Sequence, residues 1–375
     1  MKEGMRYPAL DAMRGIAALT VMISHILQNV RQSPYGWFVQ DVIDRLPMGP
    51  VVWGTAPVMF FFVLSGFVLS VSPDAHVRER IPGFWAKRIT RIWIPYFVAL
   101  VAFAGLNSIT SSFDGGQYAL ARNNFRAPFE WSDFLKNVAL IFFDFPNHFL
   151  GVSWTLVHEM RISLLFPILL VILWDRSWFV TLFSALALFY GGHLMLDRAN
   201  GSPYDLSMYN TIYISGMFVF GILAARYRAE IASAMAGWSR SVRIFAISIA
   251  VSLYLGGVWD LRFSLLPWYP IGVVFGCFAL ICLGFTSSGS NWIVHSRAAQ
   301  WLGRVSYSLY LWHPAVLMVC FRCMSASNPL IVSIVGTVVA MAISELSFRF
   351  IEKPSMQLGQ WVSKRIGTMR PNATA

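Results

Sequence analysis

Two ionisable residues lie inside the first long apolar stretch of the chain, where packing alone does not explain them. Arg14 and His25 are separated by ten residues in the segment from Pro8 to Leu27. On an α-helix, eleven steps of about 100° bring the second side chain to within roughly 20° of the first, about 16 Å further along the axis. A guanidinium binds anions, and an imidazole exchanges protons near neutral pH. This helix face is therefore a candidate catalytic surface.

The composition indicates that this helix lies in a membrane. The chain has 375 residues, of which 57% are hydrophobic and only 13% are charged, whereas soluble domains carry about 25% charged residues. The mean hydropathy is +0.58. An ionisable residue within a membrane span is costly unless it faces the bundle interior or a water-filled cavity. We therefore expect Arg14 and His25 to line such a cavity.

Apolar stretches long enough to cross a membrane recur along the whole chain. A hydrocarbon core of about 30 Å needs roughly 20 helical residues. The stretches lie near 8–30, 50–72, 92–111, 150–174, 178–196, 208–226, 244–259, 268–287, 305–323 and 329–349. We predict an all-α integral membrane protein with about ten transmembrane helices in the lipid bilayer. Because Asp11 and Arg14 interrupt the first stretch and no small-residue cleavage site follows, we expect a retained span and not a signal peptide.

The basic residues are distributed unevenly between the two predicted sides. With the N-terminus in the cytoplasm, 19 of the 29 Lys and Arg residues fall on the inside. Seven fall on the outside: Arg31, Arg45, Arg122, Arg126, Arg198, Arg262 and Arg322. This bias follows the positive-inside rule, so we expect both termini to be cytoplasmic. It also explains the net charge of +11 without a nucleic-acid partner. We predict one membrane domain over residues 1–353 and a short basic cytoplasmic tail over 354–375.

Five motifs carry more polar chemistry than a helical bundle needs. The first holds Arg14 and His25, and the second has Ser65-Gly66 in its middle, which allows another helix to approach closely. The third contains Arg88 and Arg91. The fourth contains Ser153, Trp154, Thr155, Leu156 and Glu159, and the fifth contains Ser306, Tyr307, Tyr310, Leu311 and His313.

In this order and spacing, the five motifs resemble acyltransferase family 3, the integral-membrane O-acyltransferases that use acyl-CoA to modify bacterial sugars and cell-surface polymers. The similarity runs from about residue 7 to about residue 353. The family's Arg-x10-His, Arg-x-x-Arg and Ser-Tyr-x-x-Tyr-Leu-x-His patterns are present. Its Ser-Trp-Ser-Leu-x-x-Glu pattern occurs with Thr155 in place of the second serine. After Glu159 the chain reads Met-Arg-Ile-Ser, where many members have an aromatic-rich continuation.

The resemblance implies transfer of a short acyl group, most often acetyl, from cytoplasmic acyl-CoA to a hydroxyl of a saccharide or cell-surface glycan at a bacterial inner membrane. His25 would be the general base, since an imidazole with an ordinary pKa near 6.5 can take the proton of an attacking hydroxyl. Arg14 would stabilise the thioester oxyanion or hold the pantetheine arm. Glu159 would be an alternative base, or a group that orients an imidazole or holds an acceptor hydroxyl. No metal is implied.

The other motif residues are expected to contact the two substrates. Arg88 and Arg91 would bind the phosphates of coenzyme A through their guanidinium groups, although basic residues at the inner end of a span can serve topology alone. The expected substrate-binding residues are Trp154, Ser306, Tyr307, Tyr310 and His313. A structural polar network is the alternative explanation for the hydroxyl groups of the fifth motif.

Two other functions are compatible with the same residues. The Arg, His and Glu side chains could form the proton pathway of a transporter or flippase for a glycan or a lipid-linked intermediate, although no internal repeat is visible. The chain could also be a non-catalytic partner in a polysaccharide export complex. Some family members carry a hydrolase-like domain after the last span, and here we expect any such extracytoplasmic partner to be a separate protein. We expect the four cysteines to serve packing.

Overall fold

The computed structural model describes residues 7–31, 33–42, 54–72, 76, 80–110, 112–113, 131–141, 150–198, 203–255, 269–287 and 292–368. Within these ranges the regular structure is helical, and no strand occurs among them. The predicted all-α fold is therefore confirmed. A helix satisfies its backbone hydrogen bonds within one segment, which is what a lipid environment demands.

Fourteen α-helices occur in the described ranges, and we number them in chain order. They are α1 (Pro8–Arg31), α2 (Thr55–Ser70), α3 (Ile81–Thr110), α4 (Trp131–Ala139), α5 (Ser153–Leu173), α6 (Trp178–Arg198), α7 (Pro203–Arg226), α8 (Arg228–Ala236), α9 (Arg240–Leu255), α10 (Tyr269–Phe285), α11 (Trp292–His295), α12 (Arg297–Cys323), α13 (Pro329–Ser347) and α14 (Lys353–Thr368). Two short π-helical segments cover Phe38–Val42 and Phe348–Glu352. The second of them joins α13 directly to α14.

Most of the described residues in each of the ten segments predicted to be apolar spans are helical. Six helical stretches are long and apolar enough to cross a membrane: Pro8–Arg31, Ile81–Thr110, Ser153–Leu173, Trp178–Arg198, Asp205–Arg226 and Pro329–Ile366. Thr55–Ser70 and Ile271–Phe285 are shorter apolar helices. A multi-pass membrane protein is supported by these lengths and compositions. The count of ten spans and the cytoplasmic position of both termini stay predictions.

The bundle exposes many large apolar side chains and, within its largely apolar interior, buries a smaller set of polar ones. Val171, Phe183 and Phe350 are 77%, 66% and 73% exposed, whereas His158 and Arg161 are buried. Lipid tails are as apolar as such an exterior, whereas polar side chains are retained in a membrane interior chiefly where they have partners or a function. A functional site is therefore to be sought among the buried polar residues.

Glycine residues allow backbone contact at several helix crossings, and two of these crossings involve helices that carry the motifs. A Cβ added to Gly15 of α1 would lie 2.6 Å from the backbone nitrogen of Gly303 on α12. On α2, Gly66 faces the carbonyl of Phe218 on α7, and Gly221 of α7 faces the backbone of α2 in return. Small residues at helix crossings are a common means of close packing in membranes. The close approach predicted at Gly66 is confirmed, and α1 and α12, which carry the first and last motifs, are held together in the same way.

The helix α3 begins earlier than the apolar stretch predicts. The predicted span starts near residue 92, whereas α3 starts at Ile81. Lys87, Arg88 and Arg91 lower the local hydropathy, so the hydropathy signal begins only after them. As a result, Arg88 and Arg91 lie about two and three turns inside the helix, before the apolar run begins, and their position at the inner end of the span stays a prediction.

The segment predicted as a tail from residue 354 is helical as far as Thr368. This helix, α14, packs against the first half of α3, where Gly359 approaches the Cα of Lys87. The π-helical turn that precedes α14 places Glu352 in the interior, and Ser308 Oγ donates a hydrogen bond of 2.7 Å to its carboxylate. Single π-helical turns are frequent at functional sites.

Candidate active site

Seven of the ten residues predicted for the site line one cavity, which we call the arginine cavity. They come from α1, α3, α5 and α12, and α2 contributes an apolar side. The seven are Arg14, Arg88, Arg91, Glu159, Ser306, Tyr307 and Tyr310. The four motifs that supply them are far apart in the sequence, and the fold brings them to one surface.

Arg14 is fixed at this cavity by the close crossing of α1 and α12. Its Nε donates to Ser306 Oγ at 2.9 Å, and its Nη2 donates to the Gly303 carbonyl at 2.8 Å. The carboxylate of Asp11 lies 3.5 Å from the same Nη2. The Ser306 hydroxyl uses its own hydrogen on the Gly303 carbonyl, at 2.9 Å. Arg14 is therefore an anchored positive charge.

Arg88 and Glu159 form an ion pair between α3 and α5. Arg88 Nη2 lies 3.0 Å from Glu159 Oε1 and donates to Ser163 Oγ at 3.3 Å. The two side chains are only 12% and 23% exposed, so salt and water screen the pair weakly. Truncating either partner would leave a mostly buried charge without its counter-ion. Arg88 therefore has a carboxylate partner even without a ligand.

Arg91 adds a second guanidinium on the same side of α3. In the described part of the chain it forms no hydrogen bond or ion pair. Its charge lies within electrostatic range of Arg88, Tyr307 and the buried carboxylate of Glu352. A half-buried guanidinium that lines a cavity and keeps its donors available is well suited to bind a phosphate.

A second cavity, which we call the histidine cavity, lies towards the C-terminal end of α1. His25 lines it together with Trp154 at the start of α5 and with Asn210 and Tyr213 on α7. None of the described residues that line it is Asp, Glu, Lys or Arg. Its surface therefore offers an imidazole, aromatic rings and an amide, without a formal charge.

The two cavities share three lining residues, Val58, Phe62 and Tyr310, which we call the shared wall. The wall lies between the cavity of Arg14 and the cavity of His25. The two residues thus share a helix but line different cavities. One side chain from α12 and two from α2 separate a cationic compartment from a neutral one.

The hydroxyl of Tyr310 in the shared wall has a defined orientation. Thr155 Oγ1 donates its only hydrogen to the Val152 carbonyl at 2.8 Å. The Tyr310 hydroxyl lies 2.8 Å from Thr155 Oγ1 and must therefore be the donor in that bond. Threonine at position 155 supplies the hydroxyl that the family's serine would supply. The phenol oxygen of Tyr310 retains its lone pairs.

His313 lies directly behind His25. Its Nε2 is 3.0 Å from His25 Nδ1, and its Nδ1 is 2.9 Å from the Leu309 carbonyl. The Tyr310 carbonyl is also within hydrogen-bonding range of the ring. No helical N–H competes for this carbonyl, because the residue four positions later is Pro314. His313 is fully buried and lines neither of the two cavities. The structure therefore brings His313 into contact with His25 and places it at neither cavity.

These contacts determine which nitrogen of each neutral imidazole carries hydrogen. A carbonyl only accepts, so His313 Nδ1 is the donor to Leu309 and His313 Nε2 is bare. His313 Nε2 must then accept from His25 Nδ1. His25 consequently keeps a bare Nε2, the nitrogen not used in the bond to His313. A bare imidazole nitrogen at a cavity is what a general base requires.

The structure adds polar residues that the sequence motifs omit. Asn210 lines the histidine cavity, and behind it the buried His158 and Thr211 form a hydrogen-bonded cluster. Glu352 is a buried carboxylate near Arg91. The sequence contains only a weak indication that these residues belong to the site. Asn210 and Thr211 are two of several polar residues in the first half of α7, and nothing in the sequence indicates which helix faces them.

The described residues include no group of three or more His, Cys, Asp or Glu side chains arranged to hold a metal ion. Cys277 and Cys282 belong to the large apolar cluster of the bundle, and Cys320 belongs to a smaller one. The packing role predicted for these three residues is confirmed. Cys323 is exposed.

The sequence was compared with protein families and with curated proteins. Residues 7–348 match a family described as an acyltransferase domain. The Bacillus subtilis (strain 168) protein named "Putative peptidoglycan O-acetyltransferase YrhL" is 24% identical over 92% of this chain and 54% of its own length. The Staphylococcus aureus (strain COL) protein named "Putative O-acetyltransferase SACOL0978" is 22% identical over 95% of this chain and 58% of its own length. "Acyltransferase MdmB" of Streptomyces mycarofaciens is 27% identical over 44% of this chain and 39% of its own length.

The chain spans little more than half the length of the first and second of these relatives and less of the third. No solved structure matches it significantly. The similarity therefore extends over almost all of this chain, and what the remainder of each relative contributes lies outside it.

Proposed function

This chain belongs to the acyltransferase family whose domain matches residues 7–348, and from that membership we propose that it transfers an acyl group, acetyl in the first instance, from acyl-CoA to a hydroxyl of a saccharide or cell-surface glycan. The observation that carries this proposal is the pair of adjoining cavities. One is lined by arginines and the other by His25, and Tyr310 lines both.

The donor is assigned to the arginine cavity. Coenzyme A carries several phosphates, and guanidinium groups bind phosphate oxygens bidentately. Arg91 is the first candidate because it has no hydrogen-bonded partner among the described residues. Arg88 adds positive charge and holds Glu159, and we assign Arg14 to the pantetheine arm. On α1 the Cα atoms of Arg14 and His25 are about 16 Å apart, so Arg14 is too distant to share the reacting atoms with His25 directly.

The acceptor is assigned to the histidine cavity, with the thioester carbonyl at the shared wall. The acceptor oxygen attacks the carbonyl carbon while His25 Nε2 takes the hydroxyl proton. The carbon–sulfur bond then breaks, the acyl ester remains on the acceptor, and the thiolate of coenzyme A takes the proton back from His25. Tyr310 forms part of the wall at the thioester, and its hydroxyl hydrogen is already used on Thr155. Trp154, Ser306 and Tyr307 complete the proposed walls of the two substrate sites.

His313 is proposed as the positioning residue of this base. Its bare Nε2 accepts from His25 Nδ1 at 3.0 Å and so holds His25 in the tautomer whose Nε2 can accept a proton. A buried second histidine in this role replaces the carboxylate that often orients a catalytic imidazole. Glu159 is paired with Arg88, so we assign it to the donor side.

The topology proposed with this reaction has both termini in the cytoplasm and residues 1–353 as the membrane domain of a bacterial inner-membrane protein. The bias of basic residues supports this orientation. The arginine cavity then faces the cytoplasmic half of the bilayer, where acyl-CoA is available, and the histidine cavity faces the outer half.

The test is turnover of radiolabelled acetyl-CoA by the purified chain in detergent and in membrane vesicles from a bacterium that carries the gene. We expect release of coenzyme A and transfer of label to envelope glycan, both dependent on His25. Replacing His193, a partly exposed residue that pairs with Asp197 on α6, by Gln is the matched control and should have no effect. Absence of any acetyl-CoA turnover by the wild-type protein would contradict the proposal and favour a transporter.

A further inference from the structure

An amide from outside the sequence motifs lines the histidine cavity. Asn210 of α7 borders this cavity together with His25 and Trp154. Its Nδ2 lies 3.1 Å from His158 Nε2. Among the residues that the structure describes, its Oδ1 has no hydrogen-bond partner, and it is not a buried atom. The cavity therefore contains an amide oxygen that is open to a ligand.

A buried hydrogen-bond relay stands behind this amide. His158 is fully buried, and its Nδ1 lies 2.9 Å from Thr211 Oγ1. Arg161 Nη1 donates to the same Thr211 oxygen at 2.9 Å and to Ser207 Oγ at 2.8 Å. The Thr211 hydroxyl donates to the Ser207 carbonyl at 3.0 Å. Arg161, Thr211, His158 and Asn210 are thus connected in series from the protein interior to the cavity.

The relay has a direction. The single hydroxyl hydrogen of Thr211 is donated to the Ser207 carbonyl, so the Thr211 oxygen can only accept further hydrogen bonds. It accepts one from Arg161 Nη1 and one from His158 Nδ1. A neutral His158 therefore has its hydrogen on Nδ1 and a bare Nε2. The bare Nε2 accepts from Asn210 Nδ2. The relay therefore turns the amide so that Oδ1 is the end available to the cavity.

The chemistry of the cavity narrows the class of ligand. Its described lining has no formal charge, so an anionic or cationic group would lose its hydration without gaining a partner. A neutral polyhydroxylated ring fits better, because a hydroxyl can donate to Asn210 Oδ1 and the apolar face of the ring can pack on the Trp154 indole. The His25 imidazole lines the same cavity and would receive a second hydroxyl.

We propose that Asn210 is an acceptor-binding residue that accepts a hydrogen bond from a hydroxyl next to the one that is acylated, and that Arg161, Thr211 and His158 are positioning residues that fix its polarity. This rests on the proposed acyl transfer. The acceptor is accordingly a neutral saccharide unit with two neighbouring hydroxyls, one donating to Asn210 and one to His25.

The experiment measures how acyl groups are partitioned between glycan and water. Chromosomal variants in a bacterium that carries the gene are assayed for acetate released by mild alkali from envelope polysaccharide. Membrane vesicles from the same cells are assayed for hydrolysis of radiolabelled acetyl-CoA. Asn210→Leu keeps the approximate size of the side chain and removes the acceptor oxygen, so we expect the ratio of glycan acetylation to hydrolysis to fall about tenfold, as for loss of one buried hydrogen bond.

Two variants of Thr211 test the relay. Thr211→Val removes the hydroxyl at nearly constant shape and should lower the same ratio, whereas Thr211→Ser retains the hydroxyl and should restore it. A ratio of glycan acetylation to hydrolysis within twofold of wild type for Asn210→Leu would overturn the acceptor site. This includes the case in which both activities fall by the same factor. A wild-type ratio for Thr211→Val would overturn the relay. If wild-type vesicles do not turn over acetyl-CoA, the proposed acyl transfer itself has failed.

Discussion

Replacing His25 by Asn separates its role as a base from its role in packing. The Nδ2 of Asn can occupy the place of His25 Nδ1 and donate to His313 Nε2, a bond of 3.0 Å in the structure. The substitution removes the atom at Nε2, which is the proposed base. We therefore expect a folded protein in which only proton transfer is lost.

The expected size of this effect follows from general acid–base catalysis. Loss of such a group lowers turnover by roughly 10²–10⁴-fold, which corresponds to about 2.7–5.4 kcal/mol of transition-state stabilisation. His25→Ala should be equally inactive and also less stable. It leaves the buried His313 Nε2 without its donor, and an unsatisfied buried group costs about 1–3 kcal/mol.

The assay compares the two variants with wild type in detergent, using release of coenzyme A from acetyl-CoA per unit of monodisperse protein and the thermal midpoint of unfolding. We expect equal turnover for Asn and Ala but a lower midpoint for Ala. His193→Asn is the control. If His25→Asn keeps more than about half of wild-type turnover, His25 is a structural donor and the base must be sought elsewhere, with Glu159 as the first candidate.

Three further predictions use other parts of the site. His313→Gln places an acceptor oxygen near the position of Nε2 and should keep more activity than His313→Leu, which offers none; equal turnover of the two would exclude orientation by His313. Arg91→Ala should weaken binding of coenzyme A in calorimetric titration by about tenfold or more, since one charge-assisted hydrogen bond contributes about 1.5–3 kcal/mol. Arg349, which pairs with Glu345 at the surface, is the control, and Arg349→Ala should leave the affinity unchanged. If Arg91→Ala also leaves the affinity unchanged, Arg91 serves only to set the topology. Reporter fusions after residue 375 and near residue 122 should report opposite sides of the membrane, and a common side would reject the proposed orientation.

The helices could be predicted well from the sequence because a lipid core imposes a simple length requirement on apolar runs. The same signal does not mark the start of α3, which lies eleven residues before the apolar run. Arg88 and Arg91 precede the apolar run, yet they belong to the same helix, where Arg88 pairs with Glu159 and both arginines line a cavity. Hydropathy registers the cost of a charge and contains no information about its partner.

The sequence predicts most of the residues that line the two cavities, but not how these residues are arranged. The motifs identify Arg14, His25 and Tyr310, but the sequence does not say which helices are neighbours. For that reason the division into two cavities, the contact of His313 with His25 and the place of Asn210 on α7 required the structure. Each depends on how two helices approach, and crossings such as Gly15 on Gly303 determine this.

The shared wall of Val58, Phe62 and Tyr310 has a consequence for the energetics of the cell. A protein that receives one substrate from the cytoplasm and another from outside must not short-circuit the proton and ion gradients of its membrane. The wall consists of two apolar side chains and a phenol whose hydroxyl donates to Thr155, and apolar constrictions block ions by dewetting. On the proposed mechanism, a small uncharged acyl group passes this point while hydrated ions do not, so the wall would insulate the membrane during the transfer.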